Sequence, residues 1–435
     1  MMGQAVNIFR VPELRKRIFY SCLLLIVYRI GSHVPTPGID AEALTALFSR
    51  VGGTLFGFLD LFSGGAFRRL SVLALGIMPY ISASIILQLL AVVIPALERL
   101  SKEGEAGRKK ITQYTRYGTV FLSAVQGLGI AIGLEHQDVG GRLVVPDPGW
   151  GFRFTTTLTL VAGTIFLMWI GEQISERGIG NGISLLIFAG IIVRLPEAIT
   201  ASFQLLRTGE MAIYVFLFLA ALMVAVVAGV IVMTLGQRRV PVQYAKRMVG
   251  RRVYGGQSTH IPLRVNTAGV IPVIFAASIL VFPATIAQFV KFDMVQAVTA
   301  ALAPGRWLYF LLYAASIIFF TYFYTAIVFK PDDVADNMKK YGGFIPGIRP
   351  GPKTADYLEN VLDRITLVGA MYLAAISILP ETLILWTNVP FFFGGTSLLI
   401  VVGVALDTVQ QVEAHLLMRH YEGFLKKTRL KGRTW

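Results

Sequence analysis

The residue types that carry most protein chemistry are few and scattered in this chain of 435 residues. The sequence contains no phosphate-binding G-x-x-x-x-G-K-[ST] loop, no H-E-x-x-H metal motif and no G-x-S-x-G nucleophile motif. Its one cysteine, Cys22, excludes an intrachain disulfide and a cysteine metal cluster. The histidines lack the spacing of metal ligands and lie at the ends of apolar runs or in loops: His33, His136, His260, His415 and His420. The sequence therefore predicts no catalytic site and no cofactor.

Ionisable side chains are nearly absent from the interior of the long apolar runs, where they would mark a proton or ion pathway. Asp407 shares one helical face with Gln410, Gln411 and Ala414, so we predict that the last apolar run leaves the membrane there and continues as a cytoplasmic helix. The other interior polar residues suit hydrogen bonds between helices: Gln88, Gln126, Ser278 and Thr321. This pattern disfavours an ion-coupled solute transporter.

The composition predicts a polytopic membrane protein. Hydrophobic residues make up 55% of the chain and charged residues only 15%, whereas a soluble chain carries roughly 25% charged residues. A soluble, disordered or fibrous protein is therefore excluded. A transmembrane helix needs about 20 apolar residues, and the sequence offers ten such runs: 18–34, 72–97, 117–134, 155–175, 183–199, 211–235, 268–290, 307–329, 365–386 and 389–410.

The basic residues predict the orientation of these ten spans. When each Lys and Arg is assigned to the nearer face, 30 of the 40 lie on the side of the N-terminus. Cytoplasmic loops carry an excess of Lys and Arg. The sequence therefore places both termini in the cytoplasm.

One segment is apolar but too short to cross the membrane. Residues 53–65 (GTLFGFLDLFSGG) are aromatic and interrupted by glycines. Segments of this length are re-entrant or interfacial, and irregular backbone at membrane depth must be buried in protein or line a cavity. We interpret residues 53–65 as re-entrant; the alternative is an amphipathic helix on the outer surface.

A short internal repeat links the second and seventh spans. Residues 76–84 (GIMPYISAS) and 269–277 (GVIPVIFAA) share Gly, Pro, Ile and Ala at a constant offset. The seventh span is the second of the second half if the chain consists of two five-span halves, and an odd number of spans makes such halves inverted. Inverted repeats place a functional site near the bilayer midplane, so we expect the second and seventh spans to line a central pathway.

Two cytoplasmic loops differ in charge. Residues 237–265 hold seven basic and no acidic residues, which reflects membrane orientation alone or a surface for RNA phosphates. Residues 330–364 have mixed charge and a tip, 344–351 (FIPGIRPG), whose prolines and glycines stiffen it and expose Arg349. This tip indicates a docking site for a protein.

Taken together, these features resemble the SecY family, the pore subunits of the bacterial Sec translocon. The resemblance extends along nearly the whole chain and rests on stretches in the family's order. They are 35–38 (PTPG), 61–65 (LFSGG), 74–81 (ALGIMPYI), 113–116 (QYTR), 178–182 (GIGNG), 344–351 (FIPGIRPG) and 393–397 (FGGTS).

The resemblance implies an all-α fold, with ten transmembrane helices in two inverted five-helix halves around a central pore and a re-entrant plug helix. The halves would be 1–205 and 206–420, followed by a basic cytoplasmic tail, 421–435. The family's pore ring of six aliphatic residues falls on Ile81, Ile85, Ile187, Ile191, Ile274 and Ile400, although Ile183 lies one turn from Ile187 and is an alternative in that span. Residues 54–67 would be the plug, with apolar side chains at Leu55, Phe56, Phe58, Leu59, Leu61 and Phe62.

The resemblance also implies a lateral gate formed by spans 2, 3, 7 and 8, with Gln88, Gln126, Ser278, Phe282 and Thr321 along it. Docking of the ribosome and the motor SecA would fall on Arg238, Arg239, Lys246, Arg247, Arg251, Arg252 and Arg349. The implied function is translocation of unfolded preproteins, recognised through signal peptides, and lateral release of membrane segments in the bacterial cytoplasmic membrane. The implied companions are SecE, SecG, SecA and the ribosome.

The residues disfavour two other classes of protein. An inverted-repeat secondary transporter of a small solute would require a carboxylate near the midplane, and none is predicted. An intramembrane hydrolase would require a nucleophile and base or a metal site, which the sequence does not offer.

Overall fold

A computed structural model of the chain describes residues 11–51, 60, 63–135, 137–139, 142–209, 212–244, 247–249, 252–254, 258–287, 306–387 and 395–428. The helices are α1 Pro12–Gly31, α2 Ala41–Val51, α3 Met78–Val93, α4 Pro95–Lys102, α5 Glu105–Glu135, α6 Trp150–Arg177, α7 Gly182–Ile192, α8 Leu195–Thr208, α9 Ile213–Leu235, α10 Ile271–Ala287, α11 Trp307–Val328, α12 Pro331–Lys340, α13 Pro352–Thr387 and α14 Gly395–Thr428. The strands are β1 Asp138–Val139, β2 Arg142–Leu143, β3 Gln237–Tyr244, β4 Arg247–Val249, β5 Arg252–Tyr254, β6 Ser258–Arg264 and β7 Gly343–Phe344.

Every predicted membrane span overlaps at least one of these helices. Over the described residues, seven helical stretches are long and apolar enough to cross a bilayer, and an eighth results if α3 and α4, which meet at a bend of 101°, count as one span. The seven are Glu105–Glu135, Trp150–Arg177, Gly182–Thr208, Ile213–Leu235, Trp307–Lys340, Pro352–Leu379 and Ser397–Leu416. The fold is that of a polytopic helical membrane protein.

The chain forms two compact units. The first comprises Met1–Gln204, Ser278–Pro304 and Ile400–Trp435, and the second comprises Leu205–Ala277 and Gly305–Leu399. Three helices therefore contribute to both units, because α8 continues past Gln204, α10 continues past Ala277 and α14 begins before Ile400.

In the first unit, α5 packs along α6 and α3, while α1 and α7 pack on α6. Small residues allow this close approach. A Cβ added at Gly127 on α5 would lie 3.5 Å from the Cα of Thr157 on α6. One apolar cluster closes the end of the unit where α5 ends and α6 begins. Its most buried members are Ala131, Val144, Val145, Leu160, Leu44 and Leu70.

In the second unit, a small sheet with the order β6-β3-β7 packs on α12 and the first turns of α13. Strand β3 alternates between exposed and buried side chains, with Val240 and Val242 on the buried face. This alternation has the period of a half-buried strand, so the segments 237–265 and 330–364, predicted as loops, contain a folded sheet. The apolar cluster beneath it contains Val240, Val242, Leu263, Met338, Ile345, Leu358 and Leu362.

Several helix boundaries differ from the predicted spans. Helix α3 begins at Met78 rather than at 72, because Gly76 has a left-handed backbone (φ 59°) and Pro79 favours a helix start. Helix α7 ends at Ile192, and a separate helix, α8, follows. Helix α13 begins at Pro352 rather than at 365, because Leu358 and Leu362 pack into the apolar cluster under the sheet.

The internal repeat has a counterpart in the backbone. Gly76 and Gly269 both have positive φ, 59° and 66°, immediately before α3 and α10. Pro79 and Pro272 are the second residues of these helices, where proline fits because the first amide groups have no intrahelical partner. The two segments thus share both sequence and local conformation.

Candidate pore and docking loops

The six candidate ring residues are all buried, each at most 8% exposed. Five of them lie in the first unit: Ile81 and Ile85 on α3, Ile187 and Ile191 on α7, and Ile400 on α14. The pairs on α3 and α7 are spaced by four residues, so each pair projects from one face of its helix. Ile274, on α10, lies in the second unit.

The alternative residue Ile183 lies against another helix. It is half-buried at the start of α7, and its Cγ1 is 3.3 Å from the Cβ position of Gly171 on α6. Its side chain therefore packs on α6, which favours Ile191 over Ile183 as the partner of Ile187 in the ring.

The start of α7 is held closely against α6. The side chain of Asn181 accepts hydrogen bonds from the backbone N–H groups of Ile183 and Ser184, at 3.1 and 3.4 Å, and so caps the helix. A Cβ added at Gly182 would overlap the carbonyl oxygen of Gly171. Only glycine fits at this crossing, so the sequence itself fixes the position of the helix that carries Ile187 and Ile191.

Backbone N–H groups in and just after the turn 178–181 donate hydrogen bonds to side chains of α1, α6 and α14, as expected of a tight connection between helices. The Ile179 N–H donates to Ser21 Oγ on α1 at 3.0 Å, and the Gly182 N–H donates to Ser175 Oγ on α6 at 2.9 Å. The Gly180 N–H donates to Gln411 Oε1 on α14 at 3.0 Å. Three helices thus hold the entrance of α7 in place.

The apolar plug residues, Leu55, Phe56, Phe58, Leu59, Leu61 and Phe62, lie outside the described residues. The structure does describe the end of this region. The hydroxyl of Tyr28 donates to the carbonyl oxygen of Ser63 at 3.3 Å, and Arg29 Nη1 donates to the carbonyl oxygen of Gly64 at 3.0 Å. Residues 63–64 are therefore held by the end of α1.

The candidate gate residues make local contacts. Gln88 donates to Ser84 Oγ one turn earlier at 3.0 Å, and Thr321 donates to the carbonyl oxygen of Ile317 at 2.6 Å. These two side chains thus bond within their own helices, and hydrogen bonds between helices stay a prediction for them. Gln126 is half-buried and Ser278 is buried; the side chain of Phe282 lies outside the described residues.

Helices α10 and α11 join through aromatic rings in the second unit. Phe275 meets Phe320 edge-on, with ring centroids 5.9 Å apart, and also meets Tyr324 at 6.3 Å. Such edge-to-face pairs stabilise beyond simple burial. The predicted seventh and eighth spans are therefore neighbours in this unit.

The two loops 237–265 and 330–364 form one folded body. Strand β3 of the first loop pairs with β6 and also with β7 of the second loop. Arg238 and Arg239 are exposed on β3, and Arg349 is exposed at the tip beyond β7. Ile345, 3% exposed, ties this tip to the shared apolar cluster.

The other basic docking candidates are only partly described. Arg247 and Arg252 belong to the hairpin of β4 and β5, in which Val249 pairs with Arg252. Their side chains, and the whole of Lys246 and Arg251, lie outside the described residues. At the tip itself, Thr354 Oγ1 donates to the carbonyl oxygen of Arg349 at 2.9 Å.

Two residues with strong contacts were not predicted from the sequence. Asp60 is buried, 1% exposed, and its carboxylate pairs with the guanidinium of Arg194, which follows α7. The available signal was an acidic residue inside an otherwise apolar segment, since buried carboxylates need a partner.

Within the described ranges, no group of three His, Cys, Asp or Glu side chains is arranged to hold a metal ion.

Helices of membrane-spanning length and glycine-tight crossings define a multi-pass helical membrane protein. The SecY family model matches residues 71–409. The chain therefore belongs to the SecY family, the protein translocase subunits.

Relatives of known name agree along the whole chain. It is 54% identical over 429 residues to the protein translocase subunit SecY of Vibrio cholerae, covering 97% of this chain and 96% of the relative. It is 53% identical over 424 residues to SecY of Escherichia coli, with 97% and 96% covered.

Solved structures share the fold. "The structure of a protein conducting channel" aligns with a TM-score of 0.62 at 17% identity over 92% of each chain. A canine ribosome-channel complex containing Sec61 aligns with a TM-score of 0.60 at 17% identity, also over 92% of each chain. The comparisons favour a protein-conducting channel over a solute transporter.

Proposed function

We propose that this chain forms the pore through which unfolded preproteins, directed by signal peptides, cross the bacterial cytoplasmic membrane. Its two halves, 1–205 and 206–420, would part to release apolar segments sideways into the lipid. The observation that carries this proposal is the match to SecY relatives at more than half identity over 97% of the chain. Both termini would be cytoplasmic, as the distribution of Lys and Arg indicates.

The ring of six isoleucines would be the seal of the resting channel. Aliphatic side chains offer no groups that coordinate water or ions, so a narrow ring of them closes by dewetting. The burial of all six side chains supports this role. The packing of Ile183 on α6 supports Ile191 as the second ring residue of α7.

Residues 54–67 would plug the outer side of the ring. A related solved structure carries a title that assigns a plug domain of SecY to stabilising the closed state. The attachment of residues 63–64 to the end of α1 supports a plug held at its C-terminal end.

Labelling tests the plug directly. After Cys22→Ser, because Cys22 is exposed, a Phe62→Cys variant should be shielded from outside reagents at rest and should react when a substrate occupies the pore. Equal labelling in both states would favour an interfacial helix instead.

The partners would be those of a translocon: SecE and SecG in the membrane, with SecA and the ribosome on the cytoplasmic loops. The exposed arginines on β3 and at the tip support docking of polyanions and proteins there. The fold shared with a channel solved in a ribosome complex supports ribosome association.

Reconstitution tests the proposed function as a whole. The purified chain with its small membrane partners, in vesicles supplied with SecA and ATP, should import an unfolded preprotein that carries a signal peptide. The matched control is the same preprotein without its signal peptide. Import of neither substrate, together with uptake of a small solute, would contradict the proposal.

A further inference from the structure

Asp60 is a carboxylate buried inside the first unit, within the apolar segment 53–65. Its side chain is 2% exposed and pairs through Oδ2 with Arg194, whose side chain is 17% exposed. The other oxygen, Oδ1, accepts the backbone N–H of Arg68 at 2.8 Å, and Arg68 Nε lies 3.7 Å from Oδ2. A buried carboxylate with this many partners is held firmly in place.

The backbone around Asp60 forms a compact turn, which we call the anchor (residues 60 and 63–67). The Asp60 carbonyl oxygen accepts the Gly65 N–H and the Ser63 hydroxyl, each at 3.1 Å. The Ser63 hydroxyl oxygen in turn accepts the Phe67 N–H at 3.1 Å. Phe67 lies in the apolar cluster that closes this end of the unit. Hydrogen bonds thus join the anchor residues into one turn, which Phe67 ties to the apolar cluster.

The anchor contacts Gly190 on α7 and Arg194 just beyond the end of α7, so its contacts lie on both sides of Ile191. The Cβ position of Gly64 lies only 2.8 Å from the Cα of Gly190, so the two backbones are in direct contact. Arg194 follows the end of α7 and supplies the ion pair. The bonds from Tyr28 and Arg29 reach only main-chain carbonyl oxygens of the anchor. The ion pair, in contrast, is made by the side chain of Asp60.

We propose that Asp60 and Arg194 are positioning residues of the resting channel, and that their ion pair holds the anchor against the end of α7 that carries Ile191. The proposal rests on the proposed function, in which Ile191 belongs to the seal. Removing one partner of a buried pair leaves an uncompensated charge or polar group in the closed state. When the anchor leaves α7, both groups reach water, so the same change costs little in the open state. Breaking the pair therefore shifts the resting channel toward open.

Resting conductance in planar bilayers tests this pair. The full chain, purified with its small membrane partners, is compared with Asp60→Asn, Arg194→Gln and the double variant. Each single variant should raise the resting ion conductance by at least about tenfold, as expected for the loss of one partner of a buried pair. The double variant should leak less than the two single effects predict, because the sites interact directly.

A second ion pair of the same unit provides the matched control. Arg153 Nη2 lies 2.6 Å from Glu135 Oε2, the glutamate side chain is 4% exposed, and the pair joins α5 to α6. Glu135→Gln should lower the thermal stability in detergent as the anchor variants do, while the resting conductance stays that of the parent. If Asp60→Asn does not assemble, Arg194→Lys keeps the charge without the planar guanidinium, and we expect a smaller rise in conductance from it.

The outcomes separate the two proposals. The positioning role is overturned if Asp60→Asn and Arg194→Gln lose stability but remain as tight as the parent while polar replacement of Ile81, Ile274 and Ile400 makes the channel leak. In that case the proposed function stands. A ring variant that also stays tight contradicts the proposed seal and, with it, the role of the pair.

Discussion

The backbone N–H of Gly180 donates a hydrogen bond to Oε1 of Gln411 at 3.0 Å, across 231 residues of sequence. Gly180 is buried in the turn before α7, and Gln411 lies on α14, the helix that also carries Ile400. The bond therefore fixes how far α14 is displaced along its axis relative to the turn that begins the helix of Ile187 and Ile191.

Replacing Gln411 tests this bond. Gln411→Leu leaves the buried N–H of Gly180 without an acceptor, which costs roughly 1–3 kcal/mol, whereas Gln411→Glu keeps an acceptor oxygen. We expect a lower thermal unfolding midpoint in detergent for the leucine variant and a midpoint near that of the parent for the glutamate variant. Identical midpoints for the two variants would show that the bond does not hold α14.

The crossing of α6 and α7 should not tolerate a side chain. In Gly182→Ala the new Cβ would overlap the carbonyl oxygen of Gly171, so the helices must separate. Overpacking of this kind costs about 1–3 kcal/mol or more, and we expect loss of stability measured by thermal unfolding.

Gly133→Ala on α5 is the matched control, since a Cβ there has no neighbour within 4 Å. Alanine favours a helix over glycine by about 1 kcal/mol, so this variant should be as stable as the parent or more stable. A Gly182→Ala protein that is equally stable would contradict the close crossing.

The shared apolar cluster predicts that one core substitution affects both loops, 237–265 and 330–364. Leu358 is 0% exposed beneath the sheet, and Leu358→Ala should cost about 2–5 kcal/mol. We expect reduced ribosome affinity and reduced SecA-dependent import together. The exposed neighbour Glu359 gives the control, Glu359→Ala, which should change neither. A Leu358→Ala variant that impaired one activity alone would mean that the two loops fold independently.

Charge reversals in the two loops should have separable effects. Arg251→Glu with Arg252→Glu removes phosphate partners, so ribosome binding should weaken and its salt dependence should fall by roughly one unit of slope for each lost phosphate contact. Arg349→Glu should instead reduce SecA-dependent import, and Arg349→Lys should also impair it if the contact is bidentate. Ribosome affinity over a salt series and import into vesicles measure the two effects. Equal loss of both activities in both variants would show one composite surface.

The sequence predicted the helices that long apolar runs define, because burial in lipid dictates them residue by residue. Boundaries failed where other forces act. Helix α13 extends beyond the apolar run because Leu358 and Leu362 pack on the sheet, and α3 begins late because of the backbone at Gly76. The sheet itself was missed, although Val240 and Val242 show the alternation of a strand.

Contacts between distant residues explain what remained hidden. Asp60 and Arg194 are 134 positions apart, and no periodicity in the sequence connects a single carboxylate with a single arginine. The tie between Gly180 and Gln411 is equally remote, although Gln411 stood out as a polar residue on the face of Asp407. Roles of the ring residues came from the resemblance to the family, since an isoleucine in a membrane helix carries no signal of its own.

The proposed seal of the resting channel is a ring of isoleucines, and the resting ion conductance tests this seal most directly. The variant Ile81→Asn, Ile274→Asn and Ile400→Asn places amides where water and ions have no partners in the parent. The control replaces the same residues with leucine, which keeps the ring aliphatic and close in volume. With the purified complex in planar bilayers, we expect ion leak from the asparagine variant and none from the leucine variant. An asparagine variant that conducts no more than the parent would contradict a seal formed by these isoleucines.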